Sequence, residues 1–225
     1  MTPADRATFQ PALAVLELAS IAVGIEAGDA MVKRAPVDVV RAGTIHPGKY
    51  LVLVGGSVGD VEEALTAGRE AGAGSLLDVV FLPNIHPDVV DAIGGRRRTG
   101  TGEALGVIET LTVASIIDAA DAGVKGARVR LLELRLADDI GGKGYLLFDG
   151  PVSEVEAAVE IGFARIASPA GSVGRVISQL HSEMRQSLAS DGRFHERLRI
   201  AGTAATVGTP VAGASVAPTR RAGRG

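Results

Sequence analysis

The four histidines of this 225-residue chain, His46, His86, His181 and His195, are the first candidates for chemistry, and their spacing argues against it. No two stand four residues apart, so no helix face offers a pair of imidazoles to a zinc ion. The absence of cysteine removes thiolate nucleophiles, disulfides and cysteine-ligated metal or iron–sulfur clusters. There is no Gly-x-Ser-x-Gly elbow, and Gly141-Gly142-Lys143-Gly144 lacks the leading glycine and trailing hydroxyl of a phosphate-binding loop. The expectation is a chain with no catalytic residue, no metal and no cofactor, and one that is not an enzyme.

Charged residues are the remaining candidates. Glu62-Glu63 falls in the opening turn of an expected helix, where the dipole favours negative charge. Asp138-Asp139 stands in a turn, and two readings are open: a solvated hairpin tip, or a charged functional loop. Lys33 and Lys125 each close a helix, where a cation is stabilising, and an edge contact between subunits is the alternative. Arg96–Arg98 reads as a hydrated linker. His86 and His181 stand before short helices and read as turn or cap residues.

The elements that must position these residues occur twice. Shifted by 92 places, Ala12-Leu13-Ala14-Val15-Leu16-Glu17 falls on Ala104-Leu105-Gly106-Val107-Ile108-Glu109, and Val32-Lys33 falls on Val124-Lys125. At 94, Gly48-Lys49 meets Gly142-Lys143 and Val61-Glu62 meets Val155-Glu156; at 95, His86 meets His181. A period of roughly 90 residues is a small domain rather than a solenoid unit. Fusion of two copies points to an ancestral unit that worked as an oligomer.

Each copy reads strand, helix, strand, turn, strand, helix, strand, short helix. Leu13–Leu18 and Leu105–Thr110 are apolar runs suited to buried strands, followed by Ser20 and Thr112 as N-caps. Ile21, Ile25, Gly28 and Val32, and in the second copy Val113, Ile117, Ala120 and Val124, form helical stripes. Strands Val37–Arg41 and Tyr50–Val54 flank a turn at Thr44–Gly48; Val129–Leu136 and Tyr145–Phe148 are the counterparts, with two extra residues between them. Second helices are expected over Val58–Ala71 and Val152–Ala167, with Pro151 in the first turn. Last strands follow at Asp78–Leu82 and Gly174–Leu180.

A formal charge of −3 leaves no basic footprint for nucleic acid. No apolar run approaches the roughly 20 residues that span a bilayer, and the first residues lack the order of a secretion signal. A soluble intracellular protein is expected. With 46% hydrophobic residues, 30 glycines and only 3% aromatics, its core is aliphatic, with close backbone approaches.

The series Ala12–Glu17, Glu26–Ala35, Thr44-Ile45-His46-Pro47-Gly48 and Gly55–Glu62 resembles a bacterial microcompartment shell domain in order and spacing. Leu82–Val89 looks like that family's Pro-Arg-Pro-His segment, with asparagine in place of arginine. The second copy repeats the series at Ala104–Glu109, Asp118–Lys125, Asp139–Lys143 and Gly150–Glu156, with a degenerate Ile177–His181. The resemblance covers roughly residues 11–190. It implies an α/β (α+β) fold of two tandem ferredoxin-like shell domains, three chains forming a pseudohexameric disk. Neither copy looks circularly permuted, which implies the single-layer type.

The implied divisions are an N-terminal extension at 1–10, shell domain one at 11–95, a linker at 96–103, shell domain two at 104–190 and a flexible C-terminal tail at 191–225. The resemblance also implies a shell tile in the cytoplasm with a central pore for small metabolites. The pore would be lined by Ile45, His46, Pro47 and Gly48 from one copy and by Asp138, Asp139, Ile140, Gly141 and Gly142 from the other. Glycine-rich tips let backbones converge on an axis, where their N–H groups would face a polar solute. Lys33, Lys125, Asn84 and Gln179 would make edge contacts with other shell proteins, hexamers and pentamers. Neither nucleic acid nor membrane is an expected partner. The alternative is a trimeric small-molecule-binding regulator on a similar domain.

Overall fold

The computed structural model describes residues 12–190; the expected N-terminal extension, the tail and His195 lie outside the described residues. The chain runs β1 (Ala12–Leu18), α1 (Ile21–Arg34), β2 (Val39–Ile45), β3 (Lys49–Gly56), α2 (Val58–Gly72), β4 (Leu76–Leu82) and α3 (Pro87–Ile93). It then repeats as β5 (Ala104–Thr110), α4 (Val113–Gly126), β6 (Arg130–Leu136), β7 (Gly144–Gly150), α5 (Val152–Ala164), β8 (Val173–Ser178) and α6 (Ser182–Ala189). Two antiparallel sheets result, with strand orders β2-β3-β1-β4 and β6-β7-β5-β8. No helix among the described residues is long and apolar enough to cross a membrane. Helix α5 stops three residues short of the expected Ala167, and Pro151 stands one place outside it, at the N-cap.

Alternation along β1 divides its residues between two faces. Ala12, Ala14, Leu16 and Leu18 pack with Ala27, Met31, Val61, Ala64 and Leu65 from α1 and α2. The second copy builds the same layer with different side chains. A Cβ on Gly24 would lie 2.6 Å from Tyr50, whereas the equivalent pair has the large residue on the helix and the small one on the strand, Ile116 over Gly144. Met31 and Val54 likewise become Gly123 and Phe148, and a Cβ on Gly123 would collide with the Phe148 ring. Close packing makes such volumes interdependent, so each copy keeps its own matched set.

The other face of β1 joins the two copies. Leu13, Val15, Val80 and Leu82 belong to one continuous apolar cluster with Val113, Ala114 and Ile117 of α4, and α4 packs along β4. Burial of Val113 and Ile117, both fully covered, contributes roughly 1.5–3 kcal/mol each. Glu17, also with no exposed surface, lies at the head of α4 and accepts from the Val113 N–H at 2.6 Å and from Lys49 Nζ at 2.7 Å. Lys49 also donates to the Leu111 carbonyl. Asp78 Oδ2 accepts from the Thr112 and Ser115 hydroxyls, 2.5 Å each, so Thr112 caps no amide of its own helix and Glu17 serves in its place. At the far end, Asp121 of α4 accepts from the His86 N–H at 2.7 Å.

Helix α1 has the expected stripe but not the expected burial. Ile21, Ile25 and Val32 are exposed, and the face turned to the core is Gly24, Ala27, Gly28 and Met31. The matching stripe of α4 is covered by the first sheet.

Glu17→Ala should cost about 3 kcal/mol, because it strands a half-buried ammonium and first-turn amides. Burial pushes the Glu17 carboxyl above its ordinary value of 4.5, against the pull of Lys49. A raised folded-state pKa means that its contribution to stability is complete below the unfolded value of 4.5 and is lost as pH rises through the raised one. Glu17→Gln removes that loss. In thermal melts the Gln variant should therefore gain on wild type as pH rises above 4.5.

Candidate functional site

The β2–β3 and β6–β7 turns come from different copies and meet. In the first, Ile45 pairs with Lys49 around residues 46–48, with a cis His46–Pro47 bond and Gly48 at φ 101°. In the second, the Ala137 N–H donates to the Lys143 carbonyl around residues 138–142, two residues longer, as the sequence offset requires. Asp139, Gly141 and Gly142 all have positive φ there, at 63°, 69° and 78°. Such a path suits glycine and is tolerated by aspartate, which explains why the longer turn has this composition.

Contact between the turns is tight. Gly142 is buried, and a Cβ added to it would collide with the His46 carbonyl oxygen. His46 Nδ1 lies 3.8 Å from Asp138 Oδ1, both side chains being about seventy per cent exposed. Pro47, Gly48, Asp139 and Gly141 are exposed as well, with Ile45 and Ile140 half-buried. A hollow of about 600 Å³ opens beside the turns, lined by Thr44, Ile45, Leu51, Leu53, Ile93 and Leu136.

Several of the turn amides are engaged within the turns. The amides of Gly48, Asp138, Ile140 and Gly142 donate within their own turns, to Ile45, Leu136, Ala137 and Ala137 respectively. Those four N–H groups are therefore not offered to solvent.

The residues expected to make edge contacts fall into two settings. Lys33 is exposed and pairs with Asp29 at 2.5 Å one helical turn away. Lys125 pairs with Asp121 at 2.6 Å in the same way, and its ammonium also reaches the Asn84 carbonyl across the junction. Gln179 takes φ 55° and donates its N–H to Glu103. His86 and His181 cap α3 and α6, each accepting at Nδ1 from the amide two residues on, at 3.1 and 3.3 Å.

The linker arginines are not a hydrated run. Arg96 pairs with Asp91, Arg97 with the buried Glu133, and Arg98 with Asp88 at 2.6 Å, fastening the connection to α3 and β6. Arg98 holds the Asp88 carboxyl below its ordinary range. Glu62 and Glu63 lie beyond the first turn of α2, whose acidic residue is Asp60; Glu63 pairs with Arg34 at 3.0 Å. Of the polar residues at the junction, Glu17, Lys49, Asp78 and Asp121 were not among the candidates. A glutamate inside the otherwise apolar run Ala12–Leu18 was the available signal, since a lone charge there needs a buried partner.

The BMC domain family matches residues 12–85 and again 104–181. The bacterial microcompartment shell protein PduT of Citrobacter freundii is 45% identical over 150 residues, 67% of this chain and 82% of that protein. The shell protein PduA of Salmonella typhimurium is 40% identical over 82 residues, 36% of this chain and 87% of its own length. A crystal structure of a microcompartment protein from Desulfitobacterium hafniense DCB is 41% identical, spans 79% of this chain and 99% of its own, and superposes with a TM-score of 0.65.

Two substitutions separate backbone strain from collision in the longer turn. Gly141→Ala meets nothing within 4 Å and should cost only the positive-φ penalty, about 1–2 kcal/mol. Gly142→Ala adds the clash with His46 and should cost about 1–3 kcal/mol more. Thermal melts of the two variants read the difference; equal losses would mean that the turns do not touch.

Proposed function

The chain belongs to the BMC-domain family, the shell proteins of bacterial microcompartments, and on that premise we propose that three copies close into a six-domain disk with a central pore. It is a structural tile of a shell that sits in the cytoplasm, and not an enzyme. Shell proteins assemble with one another, and this chain's partners are other shell proteins.

The observation that carries the trimer is the junction inside the chain. It joins unlike surfaces, the outer face of one sheet and the helix of the other copy, and contacts of that kind propagate head to tail until a ring closes. Such a ring sets the 46–48 and 138–142 turns alternately around one axis. Ile45, His46, Pro47 and Gly48 would then share the pore lining with Asp138, Asp139, Ile140, Gly141 and Gly142. Three imidazoles and six carboxylates make its mouth anionic at neutral pH. Small polar metabolites are the solutes such an opening admits.

Lys33 and Lys125, with Asn84 and Gln179, are proposed to meet neighbouring shell hexamers and pentamers at the rim. The implied domain divisions at residues 95, 103 and 190 belong to the same proposal.

Native mass measurement should give a trimer, and electron micrographs should show six-lobed disks with a central hole. A stable monomer at working concentration refutes the ring. In reconstituted shells, Asp138→Asn with Asp139→Asn should raise the passage of anionic solutes relative to cationic ones. An unchanged ratio means that these turns do not line the pore. Lys33→Ala should weaken sheets of disks while leaving the trimer whole, as read by sedimentation.

A further inference from the structure

Helix α6 ends at Ala189, and the chain leaves it at a defined place. Arg97 donates to the Leu188 carbonyl at 2.9 Å and to the Ser190 carbonyl at 2.8 Å, while it pairs with the buried Glu133 of β6. From there a groove of about 380 Å³ runs between the C-terminal end of α3 and β6 to the 138–142 turn. Glu133, Leu134, Arg135 and Leu136 line it in succession, as only the edge of a strand can, and β6 is an edge strand of the second sheet. The groove joins the hollow beside the two turns, sharing Ile93, Leu136 and Asp138 with it.

Its lining has two characters. Ala92, Ile93 and Leu136 form an apolar wall. At the far end stand the exposed Asp138 and Asp139. The Asp138 carboxylate has the His46 ring at 3.8 Å, and that of Asp139 makes no hydrogen bond or ion pair among the described residues. Arg135 is engaged elsewhere, over the Tyr145 ring at 5.9 Å from its centre.

The sequence that follows Ser190, outside the described residues, carries a matching pattern. Arg193, His195, Arg197 and Arg199 alternate with Phe194, Glu196, Leu198 and Ile200. Successive side chains of an extended segment point to opposite sides, so this spacing separates four basic groups from three large apolar ones. At helical spacing the two sets would interleave. The reach is sufficient: at about 3.3 Å per residue the path from Glu133 to Asp138 is about 17 Å, and residues 191–197 cover about 23 Å.

We infer that residues 191–200 lie extended in this groove along the edge of β6, in the same chain. Phe194, Leu198 and Ile200 meet the apolar wall, and the basic side turns to Asp138 and Asp139. Main-chain hydrogen bonds to the strand edge supply binding, and the two side-chain sets fix the direction. The contact is internal to one chain, so it goes beyond the ring and holds with or without it. One guanidinium at the Asp138–Asp139 pair leaves the turn anionic but less so. The charge of that turn is therefore set jointly by the turn and by a segment more than fifty residues away in sequence.

Trypsin tests this on the full chain, because it cuts after arginine and Arg220 and Arg221 serve as an internal reference. A docked segment is cut in proportion to its undocked fraction. Timed digests read by mass spectrometry should show cleavage after Arg197 and Arg199 at least about tenfold slower than after Arg220 and Arg221. Asp138→Asn with Asp139→Asn should abolish most of that protection, and so should Phe194→Ser with Leu198→Ser. Asparagine tolerates the positive φ of residue 139, so the circular dichroism of the first pair should match wild type. Equal rates at the two arginine groups in wild type overturn the inference, as does protection that survives either pair of substitutions. Protection lost on dilution would place the segment on a second copy and overturns it as well.

Discussion

Glu17 has no exposed surface, yet it is charged or protonated in a strand whose other members are aliphatic. Such a group is tolerated only where hydrogen bonds replace the water it has lost. Those bonds come from Lys49 in its own copy and from the first turn of α4 in the other. The carboxylate therefore ties the relative placement of the two sheets to its own solvation. If α4 moved off the first sheet, Glu17 and Asp78 would lose their partners and Leu13, Val15 and Val80 would lose their cover. The meeting of the two turns depends on this seating, because the contact of Gly142 with the His46 carbonyl needs both sheets in one fixed relation.

Fusion lets the copies differ where a ring of identical subunits could not. The longer 138–142 turn, with its two aspartates and positive-φ glycines, faces a shorter turn carrying a histidine and a cis proline. A homohexamer would repeat one of these six times. Divergence has also entered the cores, where Gly24 with Tyr50 and Ile116 with Gly144 fill the same space in opposite ways. The fold is kept because the total volume is kept, and the exchange lies on facing elements of one copy.

Element order and type were legible from the repeat, and so was the two-residue lengthening of the second hairpin. Periodicity found the stripe Ile21, Ile25, Val32, but it could not tell core from contact surface, since both are apolar at helical spacing. The glycine-lined face of α1 is the one turned inward, because Met31, Tyr50 and Val52 crowd it. Arg96–Arg98 misled in the opposite sense. A run of like charge reads as solvated, and only the fold brings Asp91, Glu133 and Asp88 within reach. The turn residues were found by resemblance, whereas the fate of their amides depends on backbone angles that no composition encodes. Lys125 shows the same limit: its place at the end of a helix was plain, and its reach to the Asn84 carbonyl was not.

The exchanged cavities have a consequence for the gene. Tandem repeats in one reading frame tend to be overwritten by each other through unequal exchange of DNA, which drives duplicated segments toward identity. Here a transferred tract covering the helix but not the strand would set Ile116 against Tyr50, or Gly24 against Gly144. One outcome overfills the layer and the other leaves it hollow, and each destabilises the domain. Only tracts long enough to carry both partners give a foldable product, and those would also erase the difference between the two turns. Matched pairs in the interior thus act as a barrier to homogenisation, and the distinct character of the two halves is protected by residues that never reach the surface.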